Sequence, residues 1–219
     1  LKVNQKYNYE KNKIEEKKKI LELTRNYIRN YGPESLAKKN TAPVSGKVVG
    51  EEEAINLVEA SLDLWLTSGR FNKSFEKEMA NLLNTRYFLS CNSGSSANLL
   101  AMSLLTNNKS RYNLNKNDEV IIPTLCWSTS LYPIIQTGLK PVFVDIDINN
   151  LNLDLEKIQK KITKKTKAIM LVHALGNCTD MVRLMKIVKK YNLILIEDTC
   201  EALGSKFDNK YLCLLYTSP

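Results

Sequence analysis

The sequence of 219 residues predicts an α/β fold, a mostly parallel sheet flanked by helices. Two observations carry that prediction. Between Tyr87 and Ile196, short apolar runs of strand length alternate with segments of helical periodicity, the pattern of βα units whose sheet is covered on both faces. The runs end in loops of small polar or acidic residues, which is where such sheets bind ligands.

The elements come in chain order. From Lys11 to Tyr31 the residues Ile14, Ile20, Leu21, Leu23, Tyr27 and Ile28 recur at helical spacing among charged ones, and Gly32-Pro33 stops the helix. Lys17-Lys18-Lys19 reads as its solvated face. Residues 33–50 hold two prolines, two glycines and few large apolar side chains, so they are expected to form an extended connection. Helices are then expected at 51–65 and 73–84, a strand at Tyr87–Cys91 and a helix at 95–105. The repeating part continues with a strand at Glu119–Ile122, a helix at 128–137, a strand at Pro141–Val144 and a helix at 154–161. It closes with a strand at Ala168–Val172, a helix at 180–190 and a strand at Leu193–Ile196.

Composition excludes several classes. With 43% hydrophobic and 25% charged residues, the chain can build a core and is neither disordered, collagenous nor a disulfide miniprotein. The formal charge is +9, but twelve of the 32 basic and only five of the 23 acidic residues lie in residues 1–47. The body is close to neutral, so a nucleic-acid surface on it is not expected, because phosphate tracking needs basic residues clustered on one folded face. No apolar run approaches the roughly 20 residues that span a bilayer. The first residues, LKVNQKYNYE, lack an apolar signal core and an initiator Met, and are expected to lie inside a longer protein. Five cysteines (Cys91, Cys126, Cys178, Cys200, Cys213) at irregular spacing suit reduced thiols, and the expected compartment is the cytoplasm.

Three strand ends carry chemistry. Asn92-Ser93-Gly94-Ser95-Ser96-Ala97-Asn98 stands directly before a helix, where backbone N–H groups, hydroxyls and the helix dipole favour a phosphate; an ordinary Ser cap explains the same residues. After the next strand, Trp127 stands at a loop-to-helix junction and can lie on an aromatic ring, although core filling is the commoner fate of Trp. The last strand runs into Glu197-Asp198, and a carboxylate there can pair with a protonated ring nitrogen or cap the next turn of chain. A phosphate cradle, a stacking ring and a strand-end Asp along one edge are what a pyridoxal phosphate site requires.

The blocks SGKVVG (45–50), VEASLDLWLTSGRFNKSFE (58–76), SGSSANLLA (93–101), GLKPVFVDID (138–147), KAIMLVHALGN (167–177) and IEDTCEALGS (196–205) resemble the DegT family of sugar aminotransferases. WLTSGRFN and HALGN resemble its dehydrating branch, the CDP-4-keto-6-deoxyglucose 3-dehydrases of 3,6-dideoxyhexose and O-antigen synthesis. The resemblance implies a fold-type I pyridoxal phosphate protein in which residues 51–212 are part of the large domain and a small C-terminal domain is missing. It implies that Gly94 and Ser95 hold the cofactor phosphate, Trp127 stacks on the pyridine ring, Asp198 pairs with its nitrogen and Glu201 stands near the cofactor hydroxyl. Arg70 would meet the nucleotide phosphates. His173, the only histidine, sits in HALGN and reads first as a structural residue. In CDP-type dehydrases a cluster-ligating Cys follows the Asp by two positions, so Cys200 is the residue that would ligate a [2Fe–2S] cluster; a small packed thiol is the alternative.

The ending departs from the family. Residues 213–219, CLLYTSP, match neither branch and are expected to be a non-native tail. The family's catalytic residue, His in dehydrases or Lys in aminotransferases, is therefore expected beyond Pro219 and cannot be named. Three functions stay open. The first is C3 dehydration of a CDP-linked 4-keto-6-deoxyhexose with pyridoxamine phosphate, an iron–sulfur cluster and an electron-donating reductase. The second is a lysine-dependent nucleotide-sugar aminotransferase. The third is a scaffold whose basic arm binds an acidic partner. The resemblance also implies a homodimer, and the fragment alone is expected to be inactive.

Overall fold

Why the sheet forms is legible in its central strand. Every side chain from Ala168 to Val172 is apolar, and such a run is stable only where both of its faces are covered. In the computed structural model, which describes residues 2–32 and 49–212, those residues lie in the middle of a four-stranded sheet and Ala168–Leu171 are fully buried. The chain divides into two compact units, 1–74 and 75–219, and the division falls within one helix.

The first unit is helical. Helix α1 (Lys2–Tyr31) packs beside α2 (Glu51–Leu62), and α3 (Arg70–Leu82) begins at its end. Only Ile55 of α2 is buried, so charge rather than apolar area dominates this pairing. Lys17 meets Glu59 and Asp63 at 3.1 and 3.4 Å, while Arg29 donates two bonds of 2.9 Å to Glu51. Partner numbers fall as α1 numbers rise, so the helices run antiparallel. Lys17 and Arg29 are thus paired within the chain, in line with a basic arm that serves its own fold.

The second unit holds the sheet. Strands β1 (Glu119–Pro123), β2 (Lys140–Val144), β3 (Thr166–Val172) and β4 (Ile194–Asp198) are all parallel in the order β2-β1-β3-β4. Side chains alternate across the sheet, as the period of two requires. On one face Ile121, Ile169 and Leu171 pack with Ile158 of α6 (Leu155–Lys161) and with Met181, Leu184 and Val188 of α7 (Met181–Tyr191). On the other, Val120, Ile122, Ala168 and Met170 pack with Met102 and Leu105 of α4 (Gly94–Thr106) and Ile134 of α5 (Ser128–Gln136). Side-chain caps start three of these helices: Ser93 accepts from Ser96 N, Asp154 from Glu156 N and Asp180 from Arg183 N. The strand order reverses between β1 and β3, a topological switch point, and ligands bind there beyond the carboxyl ends.

Two expectations need correction. Tyr87–Cys91 is not a strand, because none of the four strands pairs with it; Tyr87 and Leu89 face solvent while Phe88 packs edge-on against Phe75. Residues 206–211 form a hairpin that periodicity did not announce, β5 (Lys206–Phe207) with β6 (Lys210–Tyr211). Its loop, Asp208-Asn209, takes φ of 49° and 60°, the left-handed geometry of a two-residue turn that suits the twist of a hairpin. The expected connection at 33–48 and the expected tail from Cys213 to Pro219 lie outside the described residues.

Candidate functional site

The carboxyl ends of the strands converge on Asp198. It is the last residue of β4 and is in register with Val172 of β3. Its Oδ2 accepts from Ser130 Oγ at 2.7 Å and from Asn98 Nδ2 at 2.9 Å, and its Oδ1 accepts from Cys200 N at 3.1 Å. A half-buried carboxylate with both oxygens held in this way is fixed in orientation while keeping lone pairs for another donor. Ser130 is itself buried. Cys126, two residues before α5, lies close enough to feel this charge: burial, and after it Asp198, pushes the Cys126 thiol up.

The amino end of α4 abuts the same place. A Cβ built on Gly94 would stand 3.8 Å from Cys200 Sγ, an ordinary contact, and Gly94 is not among the residues with positive φ. Neither conformation nor crowding by the protein demands glycine there, so a missing side chain leaves room for something else to approach the backbone. Ser93 caps the helix and Ser95 and Ser96 stand in its first turn. Trp127 precedes Ser128, the first residue of α5, and its ring is 73% exposed. That is unusual for a Trp without a partner and places an uncovered aromatic face one turn from Ser130.

The other expected residues fall differently. Glu201 Oε2 accepts from Leu175 N at 2.7 Å, holding the short turn Ala174–Gly176 in which Leu175 has a φ of 53°. Gly176 (φ 78°) is required here, since a Cβ would meet Glu201 O at 3.0 Å. Arg70 lies in the first unit, where it donates to Asp63 at 2.7 Å and Glu59 at 2.6 Å and stacks over Phe71. Those carboxylates raise its pKa further and engage the guanidinium that was expected to meet phosphates. His173 is fully buried: Thr179 N–H donates to Nδ1 at 3.4 Å, so the proton sits on Nε2, 3.0 Å from Glu197 Oε2. It braces the end of β4 and is part of the frame. Cys200 is exposed and free, and among the described residues no group of three or more His, Cys, Asp or Glu could hold a metal ion. The catalytic His or Lys expected beyond Pro219 likewise falls outside the described residues, which end at Leu212.

Ser130 escaped the sequence reading, and so did the role of Asn98 toward Asp198. Asn98 is the one amide in the mostly apolar run ANLLAMSLL, and that irregularity was the available signal. The described helices include none long and apolar enough to cross a membrane.

Comparison with known proteins gives this edge a context. The profile of the DegT/DnrJ/EryC1/StrS aminotransferase family matches residues 48–217. The lipopolysaccharide biosynthesis protein RfbH of Salmonella typhimurium is 44% identical over 190 residues, 84% of this chain and 44% of the relative. GDP-perosamine synthase of Escherichia coli O157:H7 is 37% identical over 163 residues, 74% of this chain and 42% of the relative. Among solved structures, GDP-4-keto-6-deoxymannose-3-dehydratase with a trapped PLP-glutamate geminal diamine superposes with a TM-score of 0.72 at 38% identity, covering 78% of this chain and 44% of that one. The chain therefore spans less than half the length of these relatives.

Proposed function

This chain belongs to the DegT/DnrJ/EryC1/StrS aminotransferase family, and from that premise we propose that it binds pyridoxamine or pyridoxal phosphate and serves the C3 dehydration of a nucleotide-linked 4-keto-6-deoxyhexose. The observation that carries the reading is Asp198, held by Asn98, Ser130 and Cys200 N beside the free amino end of α4. The similarity to a GDP-4-keto-6-deoxymannose-3-dehydratase structure with a trapped PLP-glutamate geminal diamine supports this reading.

Each residue then has a task. The N–H groups of Gly94 and Ser95, at the positive end of α4, bind the phosphate. Trp127 covers one face of the ring and excludes water from it. Asp198 holds the proton at the ring nitrogen. When bound, the cofactor supplies a protonated pyridine that accepts electrons, and this is the chemistry that elimination at the neighbouring sugar carbon needs. Glu201 fixes the 174–176 turn, which borders the cofactor hydroxyl in this reading. Arg70 is assigned to the nucleotide phosphates by the resemblance of LTSGRFN alone.

The finer assignments, a CDP-linked sugar, a homodimer, a reductase partner and Cys200 as a cluster ligand, rest on the resemblance of WLTSGRFN and HALGN to CDP-type dehydrases. Two of the neighbours named above are named for GDP-linked sugars. The second reading, an aminotransferase, is supported by the match to GDP-perosamine synthase. The test is to supply the cofactor-loaded protein with CDP- and GDP-4-keto-6-deoxyhexose and follow the sugar by mass. Release of a 3-deoxy-4-keto sugar lighter by one oxygen atom, its two electrons supplied as pyridoxamine phosphate becomes pyridoxal phosphate and ammonia, supports the dehydratase. Replacement of the keto oxygen by an amine at the expense of glutamate overturns it in favour of the aminotransferase, and no cofactor binding overturns both. Iron and acid-labile sulfide in stoichiometric amount, lost in Cys200→Ser, would establish the cluster.

A further inference from the structure

We propose that Asn98 is a positioning residue for Asp198, a role that rests on the cofactor reading above. The amide of Asn98 has two hydrogens, and the structure uses both. One goes to Asp198 Oδ2 at 2.9 Å and the other to the carbonyl oxygen of Thr129 at 3.3 Å. Both partners are pure acceptors here, so the amide orientation is fixed by chemistry: rotating it by half a turn would set its oxygen against two oxygens.

The second bond exists because of a proline. In α5 the N–H of residue 133 would normally bond to the Thr129 carbonyl, four residues earlier, but residue 133 is proline and has no N–H. The Thr129 carbonyl is left for a donor from outside the helix, and Asn98 is that donor. Asn98 is thereby anchored to the backbone of α5 while its other hydrogen holds the carboxylate. Ser130, one residue further on, donates to the same Oδ2 at 2.7 Å. Three segments that carry the expected phosphate, ring and nitrogen contacts, the start of α4, the start of α5 and the end of β4, are tied at one oxygen atom.

The consequence concerns geometry. A carboxylate on a strand end can rotate about its side-chain bonds, and the pairing with a ring nitrogen requires one orientation. With Oδ2 held from two directions, Oδ1 is the oxygen left with capacity for a further donor besides Cys200 N–H. Outer partners of this kind act through the residue they orient.

The test is titration of the cofactor-free protein with pyridoxamine 5′-phosphate, reading affinity and the pH dependence of the bound cofactor's absorption. Asn98→Leu keeps size and removes both donors; Asn98→Ser is a smaller replacement that keeps one donor. We expect Asn98→Leu to bind about tenfold more weakly, as loss of a hydrogen bond to a charged group predicts, and to lose the proton of the bound ring at lower pH than the parent protein. Asn98→Ser should recover part of both effects. A role in packing alone would lower the unfolding midpoint but leave the pH of the absorption change in place. Parent affinity and an unshifted absorption change in whichever variants fold would overturn the proposal. If the parent itself binds no cofactor, the proposed function falls and this inference with it, whereas variants that match a binding parent overturn the inference alone.

Discussion

Replacing His173 by Phe separates a frame residue from a reacting one. The ring is fully buried and accepts from Thr179 N–H at 3.4 Å while its Nε2 donates to Glu197 Oε2 at 3.0 Å. Phenylalanine keeps the ring but offers neither an acceptor nor a donor. A bond to a carboxylate contributes about 1.5–3 kcal/mol and the long bond from Thr179 about 0.5 kcal/mol, and the slightly larger ring adds strain of about 1 kcal/mol. The expected cost is about 3 kcal/mol. With a urea dependence of about 2 kcal/mol per molar, the midpoint of urea unfolding followed by tryptophan fluorescence should fall by about 1.5 M. His173→Asn, which can restore one of the two bonds, should lose about half as much. A midpoint within about 0.3 M of the parent would refute the reasoning, and so would an activity lost while the midpoint stays.

Three further outcomes are expected from the same structure. Trp127→Ala should weaken pyridoxamine phosphate binding in a fluorescence titration yet leave unfolding within about 0.5 kcal/mol, because the ring is largely exposed and packs little. Glu119 is buried beneath Thr163, Lys140 and Thr166; the bond from the Thr163 hydroxyl, foremost, holds its carboxyl below the ordinary 4.5, against the opposing effect of burial. A group depressed in the folded state stabilises above its unfolded value and ceases to do so as pH falls through the folded one, so Glu119→Gln should flatten the acid limb of a stability profile below about pH 4.5. The Thr179 hydroxyl is buried without a hydrogen-bond partner, so Thr179→Val should keep or raise stability, by up to about 1 kcal/mol in chemical denaturation.

Much of the fold was legible because it is encoded locally. Helix α7 shows its buried face at Met181, Leu184, Ile187 and Val188, a spacing that any periodicity reading finds. The runs at 120–123 and 168–172 are apolar throughout because helices cover both faces, and Asp154 and Asp180 announce the helices they cap. The failure at Tyr87–Cys91 has the opposite cause. Its composition suits a strand, but a strand is made by its neighbour, and no feature of five residues says which edge will receive them. At Arg70 the sequence was silent on a different point: the segment LTSGRFN suggests a loop that meets a ligand, but nothing in it announces that Glu59 and Asp63, one helical turn apart, hold the guanidinium within the fold.

At the site, single residues were readable and their support was not. Gly94 opens α4, Trp127 precedes α5 and Asp198 ends β4, junctions at which the sequence reading looked for chemistry. Asn98 lies a hundred residues from Asp198, and Ser130 sixty-eight, so only the parallel order β2-β1-β3-β4 brings them to one carboxylate. Pro133 makes the point most sharply, because taken alone it is a flaw in a helix of nine residues. Folded against α4, the missing N–H becomes the reason why Asn98 has a backbone anchor, and with it a fixed amide to offer Asp198. A defect that weakens one element locally is thus retained where a neighbouring side chain uses the freed group, and the place to look for such a neighbour is a polar residue interrupting an apolar helix.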